Sequence, residues 1–208
     1  LSNALPVDAA LDLVDYYEVV GFADPRTSAN VWYRLMNCGV RIAAAGGTDA
    51  MANYASLRGP VGVNRTYVRP SPADDDPSPR HDAWLRGLKK GHSFATNGPL
   101  LGFEVAGMEP GDELRLDSGT QQIQYRGFMR STVPVEHVEV VLNGVVVASV
   151  TPDEKGLGAE IEGRVSIDSS GWLLLRAWSP TSNPLRFDLW PYARTTPIWI
   201  SVGGGEGG

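Results

Sequence analysis

Beyond Pro99 the chain carries no helical periodicity. Its apolar residues fall instead in eight short runs with period-two character, at 101–105, 113–116, 123–128, 138–142, 145–150, 161–167, 172–178 and 198–202, with turn residues between them. A strand turns successive side chains to opposite faces, so this pattern calls for sheets with covered faces, and its repetition reads as a β-sandwich. Asn143-Gly144 separates two of the runs, and both residues tolerate the positive φ that a two-residue hairpin requires. All-β structure is therefore expected over 101–208.

The first hundred residues follow another rule. Apolar positions between 5 and 14 read as a short helix, and the β-branched, aromatic stretch from Asp15 to Gly21 reads as a strand. Thr27 and Ser28 are candidate N-caps of a helix whose Val31, Trp32, Leu35 and Met36 share a face and which stops at Gly39. The small apolar run Arg41-Ile42-Ala43-Ala44-Ala45 then reads as a strand covered on both faces, which completes a β-α-β unit. Further strands are expected at 65–69 and 92–99, around a helix over 81–90 that turns Trp84, Leu85 and Leu88 inward. Residues 70–79, with Asp74-Asp75-Asp76, read as a solvated loop. The expected organisation is an α/β part over 1–100 and a sandwich over 101–208.

Composition narrows the function classes. In this chain of 208 residues a net charge of -6, with no clustered Lys/Arg run beyond Lys89-Lys90, argues against wrapping nucleic acid, and no apolar stretch reaches the roughly 20 residues that span a bilayer. The single Cys38 excludes an internal disulfide framework and a cysteine-built zinc site. Low cysteine use suits the cytosol without excluding export. The chain opens without Met and enters an amphipathic pattern at once, as though cut inside a larger protein.

The chemistry-bearing residues gather around Gly46-Gly47-Thr48-Asp49. Two glycines let the backbone turn after the second strand, and Asp49 is delivered at that strand's carboxyl end, where α/β folds place ligands. Glu18, on the first parallel strand, is expected at the same mouth, with a plain strand-face position as the alternative. Arg58 and Arg65 suit bidentate clamping of an anionic substrate or ordinary salt bridges. Asn97, before Gly98, suits either a site or a turn.

Several segments carry a resemblance. Tyr17-Glu18-Val19-Val20, Gly46-Gly47-Thr48-Asp49-Ala50, Arg65-Thr66-Tyr67-Val68, Trp84-Leu85-Arg86-Gly87-Leu88, Gly91-His92-Ser93-Phe94-Ala95-Thr96-Asn97-Gly98-Pro99-Leu100 and Val138-Glu139-Val140-Val141-Leu142-Asn143-Gly144 occur in this order. Together they resemble the C-terminal half of the carbaryl-hydrolase-like (CehA/McbA) branch of PHP-superfamily metallohydrolases. The resemblance implies a partial PHP-type (β/α) barrel segment followed by an Ig-like β-sandwich. It also implies two or three divalent metals (Zn, Mn or Fe) at the strand ends, with a phosphoester, ester or carbamate as small-molecule substrate. Asp49 would be a metal ligand there. The family's late motif usually reads Ser/Thr-Asp-x-His, whereas Met51 stands here in the His position of Thr48-Asp49-Ala50-Met51. A thioether is a poor ligand for such ions. The family's His-x-His motif is missing from this sequence, so hydrolysis by this chain alone is not expected. A second reading is a binding or assembly module built on the sandwich, for which a homo-oligomer is the expected form.

Overall fold

The computed structural model describes residues 4–21, 24–51, 59–69, 80–186 and 189–203. Helix α1 (Leu5–Ala10) leads to strand β1 (Tyr16–Val20), helix α2 (Pro25–Asn37) and strand β2 (Ala43–Gly46). Strands β1 and β2 pair in parallel, with Glu18 opposite Ala45, so the expected β-α-β unit is present. Two helix starts and stops differ from expectation. Asp24 caps α2 in place of Thr27 or Ser28, accepting hydrogen bonds from the Arg26 and Thr27 amides at 3.1 and 3.2 Å. Pro25 decides this, because its fixed φ and missing N–H suit the first helical position. Helix α1 does not reach residue 14: Asp12 adopts φ 55°, which ends the turn and leaves Leu11 and Leu13 exposed.

Strand β3 (Arg65–Val68), helix α3 (Arg80–Lys89) and strand β4 (Ser93–Thr96) follow. Helix α3 buries Ala83, Gly87 and Leu88, whereas Trp84 and Leu85, expected inward, are 38% and 44% exposed. The close approach at Gly87 sets this seam. A Cβ there would stand 2.7 Å from Val68 Cγ1 and 2.9 Å from the Arg69 carbonyl, so the small face packs and the large residues turn outward.

The remaining strands are β5 (Leu100–Val105), β6 (Glu113–Leu116), β7 (Gln121–Arg130), β8 (His137–Leu142), β9 (Val145–Val150), β10 (Gly158–Ile167), β11 (Gly171–Trp178), β12 (Tyr192–Thr195) and β13 (Ile198–Val202). Every period-two run is a strand. Asn143 and Gly144 take φ 51° and 91°, as the β8–β9 hairpin requires. Strand β12 has no counterpart in the sequence reading: it is four residues long and lies between Pro191 and Pro197, which interrupt a strand pattern.

The protein is mainly β, and none of its sheets closes on itself among the described residues. Three antiparallel strands in the order β10-β7-β5 face a larger sheet ordered β3-β4-β12-β11-β13-β6, to which β8 and β9 add through β11. The alternation along β11 shows how the layers stack. Leu173, Leu175 and Ala177 point into the core shared with the three-stranded sheet, while Trp172 and Leu174 join a second core with Trp32, Tyr33 and Met36 of α2. The larger sheet is thus buried on both faces. Strands from either side of residue 100 share it, since β4 pairs with β12.

Strands β12 and β13 run along one edge of β11 as a single strand broken by a bulge. The register is Arg176 to Arg194 on one side of the break and Leu173 to Ile198 on the other, one residue out of step. Bulges re-aim side chains. Here Thr196 leaves the β11 ladder: its amide donates to the Ser93 carbonyl, and its hydroxyl accepts from the Ala44 amide at 3.0 Å. Ser93 in turn donates to the Ala44 carbonyl at 3.0 Å, and Thr66 Oγ1 accepts from the Gly46 amide at 2.8 Å. The free edge of β2 is therefore capped by three hydroxyls from β3, β4 and the bulge. Thr196→Val keeps the shape but leaves the buried Ala44 amide unpaired, and should lower stability by about 1–3 kcal/mol in denaturant unfolding. Thr196→Ser should restore most of it.

Candidate functional site

Because β1 and β2 run in parallel, their carboxyl ends open at one mouth. Gly47 donates its amide to the Val20 carbonyl at 3.1 Å, which holds the two ends together. The Glu18 carboxylate rests against Gly47 so closely that a Cβ there would lie 2.2 Å from Oε1. This contact explains the second glycine. Asp49 follows with φ 54°, a left-handed conformation that Asp tolerates better than most residues. Thr48 fixes the turn: its hydroxyl donates to the Asn64 carbonyl and accepts from the Asn64 amide, both at 3.0 Å. Asn64 Nδ2 closes the loop by donating to the Gly47 carbonyl at 3.1 Å.

The charge of Asp49 acts on the Glu18 carboxylate. Burial first, and the charge of Asp49 second, raise the Glu18 pKa above its ordinary 4.5. Both residues keep solvent-exposed surface, so the effect is a local one at the rim. A raised folded-state pKa means that the folded chain holds the proton more tightly than the unfolded chain. The stabilisation linked to Glu18 is then complete below about pH 4.5 and is lost as pH rises through the folded pKa. An NMR titration should place the Glu18 midpoint above 4.5, and Asp49→Asn should bring it part of the way back. A midpoint indifferent to Asp49→Asn would separate the two carboxylates.

The other expected site residues divide. Arg65 begins β3 beside Gly46, whose Cα faces the Arg65 carbonyl. Its guanidinium lies 5.8 Å from the Tyr67 ring, and its buried Nε has no hydrogen-bond partner among the described residues. Arg58 lies outside the described residues, as does the acidic triplet at 74–76. Asn97 is a clamp within the fold: its Oδ1 accepts from the Tyr192 amide at 2.8 Å and its Nδ2 donates to the Trp190 carbonyl at 2.7 Å. With an oxygen and a nitrogen of its amide engaged by the backbone and only 4% of its surface exposed, Asn97 acts within the fold and not at the Glu18–Asp49 mouth. Asn64, Thr48 and Thr66 hold the mouth in shape, yet sequence reasoning passed over all three as holding residues. Their partners are main-chain groups of another element, which leave no mark in the local pattern.

The histidines sit apart. His81 is beside Asp82, His92 lies 3.4 Å from Asp112, and His137 stacks on Trp178 with ring centroids 4.2 Å apart. Among the described residues no three His, Cys, Asp or Glu side chains gather as a metal-binding group. A cation between Glu18 and Asp49 would relieve their repulsion, but a catalytic zinc takes three protein ligands. The described donor set falls one short. In comparisons with family models, curated proteins and solved structures, nothing matches this chain.

Proposed function

We propose that this chain is part of a PHP-type metal-dependent hydrolase and contributes the late-strand carboxylates Glu18 and Asp49 to its site. The observation that carries the reading is Glu18 lying against Gly47 at the carboxyl ends of parallel strands, within reach of the charge of Asp49, which is held in a left-handed turn. The order of the sequence segments supports the same family. In such a hydrolase the bound metal lowers the pKa of a water and polarises a phosphoryl or carbonyl oxygen. The described residues do not complete that site, so their own part is to orient: Gly47 admits the Glu18 carboxylate, and the Thr48–Asn64 pair fixes the turn that presents Asp49.

The chain alone should bind Mn²⁺ weakly and hydrolyse nothing. Paramagnetic broadening by Mn²⁺ should appear first at residues around Gly47 and Asp49, and should vanish in Asp49→Asn. Uniform broadening, or none at that turn, would remove the metal role. Metal-dependent turnover of nitrophenyl esters or phosphodiesters, abolished by Asp49→Ala, would show that the chain is a working enzyme by itself.

A further inference from the structure

Against the acidic charge of the whole chain, three arginines meet at one cavity. It has a volume of about 260 Å³ and is lined by Arg26, Asn30, Arg176, Trp178, Tyr192 and Arg194. Helix α2 supplies the exposed Arg26 and Asn30, and β11 and β12 supply the rest. Arg194 is 3% exposed, flanked by the Tyr33 and Tyr192 rings, each centred 4.8 Å from its Cζ. Its Nε and Nη1, and the Tyr192 hydroxyl, are buried without a hydrogen-bond partner among the described residues. Native interiors rarely leave such donors unsatisfied. The aromatic clamp explains where the guanidinium sits, but it gives Nε and Nη1 no acceptor among the described residues.

The neighbouring charges leave an excess of positive charge. Glu139 accepts from Arg176 Nε at 2.5 Å and from Trp178 Nε1 at 2.8 Å, so it is committed to one wall. Asp24 is turned to the amides of Arg26 and Thr27 at the start of α2. Arg26 lies over Trp178, 4.8 Å from the ring centroid, and His137 stacks on the same indole. Among the described residues, three guanidinium groups therefore face two carboxylates, Glu139 on the wall and Asp24, whose charge is coupled to Arg26 at the rim. Burial lowers the Arg194 pKa from 12.5 to about 10, the direction expected of a cation that lacks a contacting anion.

The geometry points to an anion-binding site, in which a small oxyanion, the carboxylate or phosphate group of a metabolite, enters past Arg26 and Asn30 and is held against Arg176, Tyr192 and Arg194. Guanidinium groups recognise both anions by paired N–H donors, and the volume of this open cleft suits a head group with a short tail. None of the residues that line it belongs to the Glu18–Asp49 mouth, and the site does not depend on the hydrolase reading.

The test is titration of the intact chain with inorganic phosphate and, separately, with succinate, followed by amide chemical shifts of α2 and β12 and by calorimetry at constant ionic strength. Saturable binding of either one supports the site, and the anion that saturates identifies the head group. Arg194→Gln should weaken binding at least tenfold. Because Arg194 is buried and its replacement puts folding at risk, Arg26→Gln at the rim is the second variant, expected to weaken binding about three- to tenfold with unfolding midpoint unchanged. No saturable binding of either anion, or binding indifferent to Arg26→Gln, overturns the proposal.

Discussion

Trp32→Ala is expected to lower stability by about 3–5 kcal/mol, close to the margin of many domains of this size. Trp32 is fully buried, and its ring lies 5.8 Å from that of Tyr33, which packs 4.9 Å from Trp172 of β11. Truncation therefore opens the seam between α2 and the larger sheet. The indole also donates to the Ile42 carbonyl at 3.0 Å, immediately before β2 begins. Removing that donor leaves a buried carbonyl unpaired, a further cost of about 1–3 kcal/mol. Trp32→Phe separates the two effects, since it fills most of the volume but lacks the donor. Guanidinium unfolding should rank the native chain above Trp32→Phe and Trp32→Phe above Trp32→Ala. A loss under about 1 kcal/mol for Trp32→Ala would mean that α2 contributes little to holding β2 in place.

Trp32 was legible in the sequence because the evidence for it is local. Its spacing with Leu35 and Met36 marks one face of a helix, and the structure buries all three. The same holds for the β-α-β unit and for the strands after Pro99, whose periods are set by residues close in sequence. The meeting of the β1 and β2 ends was legible too, since parallel strands must open their carboxyl ends together. What escaped depended on distant partners. Gly87, not Trp84, faces the sheet because Val68 stands against it, and nothing within α3 encodes Val68. Asn97 looked like a turn residue beside a site, yet its amide is spent on Trp190 and Tyr192, more than ninety residues away. Arg194 lay within a strand that flanking prolines disguised, so its burial between Tyr33 and Tyr192 could not be anticipated. Long-range pairing thus hid the arginine cavity, while local periodicity exposed the carboxylate mouth.

The two glycines of that mouth should respond to the same substitution in different currencies. At Gly46 a Cβ would stand 2.7 Å from the Arg65 carbonyl oxygen and 3.2 Å from its carbon and nitrogen. These are backbone atoms of β3, locked by the β3–β4 ladder that pairs Arg65 with Thr96. They cannot rotate away. Gly46→Ala must push β2 from β3, stretching the bonds between Gly46 and Thr66 Oγ1, and should lower stability by about 3 kcal/mol. At Gly47 the clash is with the Glu18 carboxylate, the free end of a flexible side chain. Gly47→Ala should therefore cost under about 1 kcal/mol of stability while displacing the carboxylate outward. Moved into water and away from Asp49, Glu18 loses both causes of its raised pKa, and its titration midpoint should fall toward 4.5. Denaturant unfolding and carboxyl NMR on the two variants read these effects independently. Equal losses of stability, with the Glu18 midpoint unmoved in Gly47→Ala, would mean that the glycine pair serves only the turn and that the Glu18 carboxylate does not rest where the mouth of the site requires it.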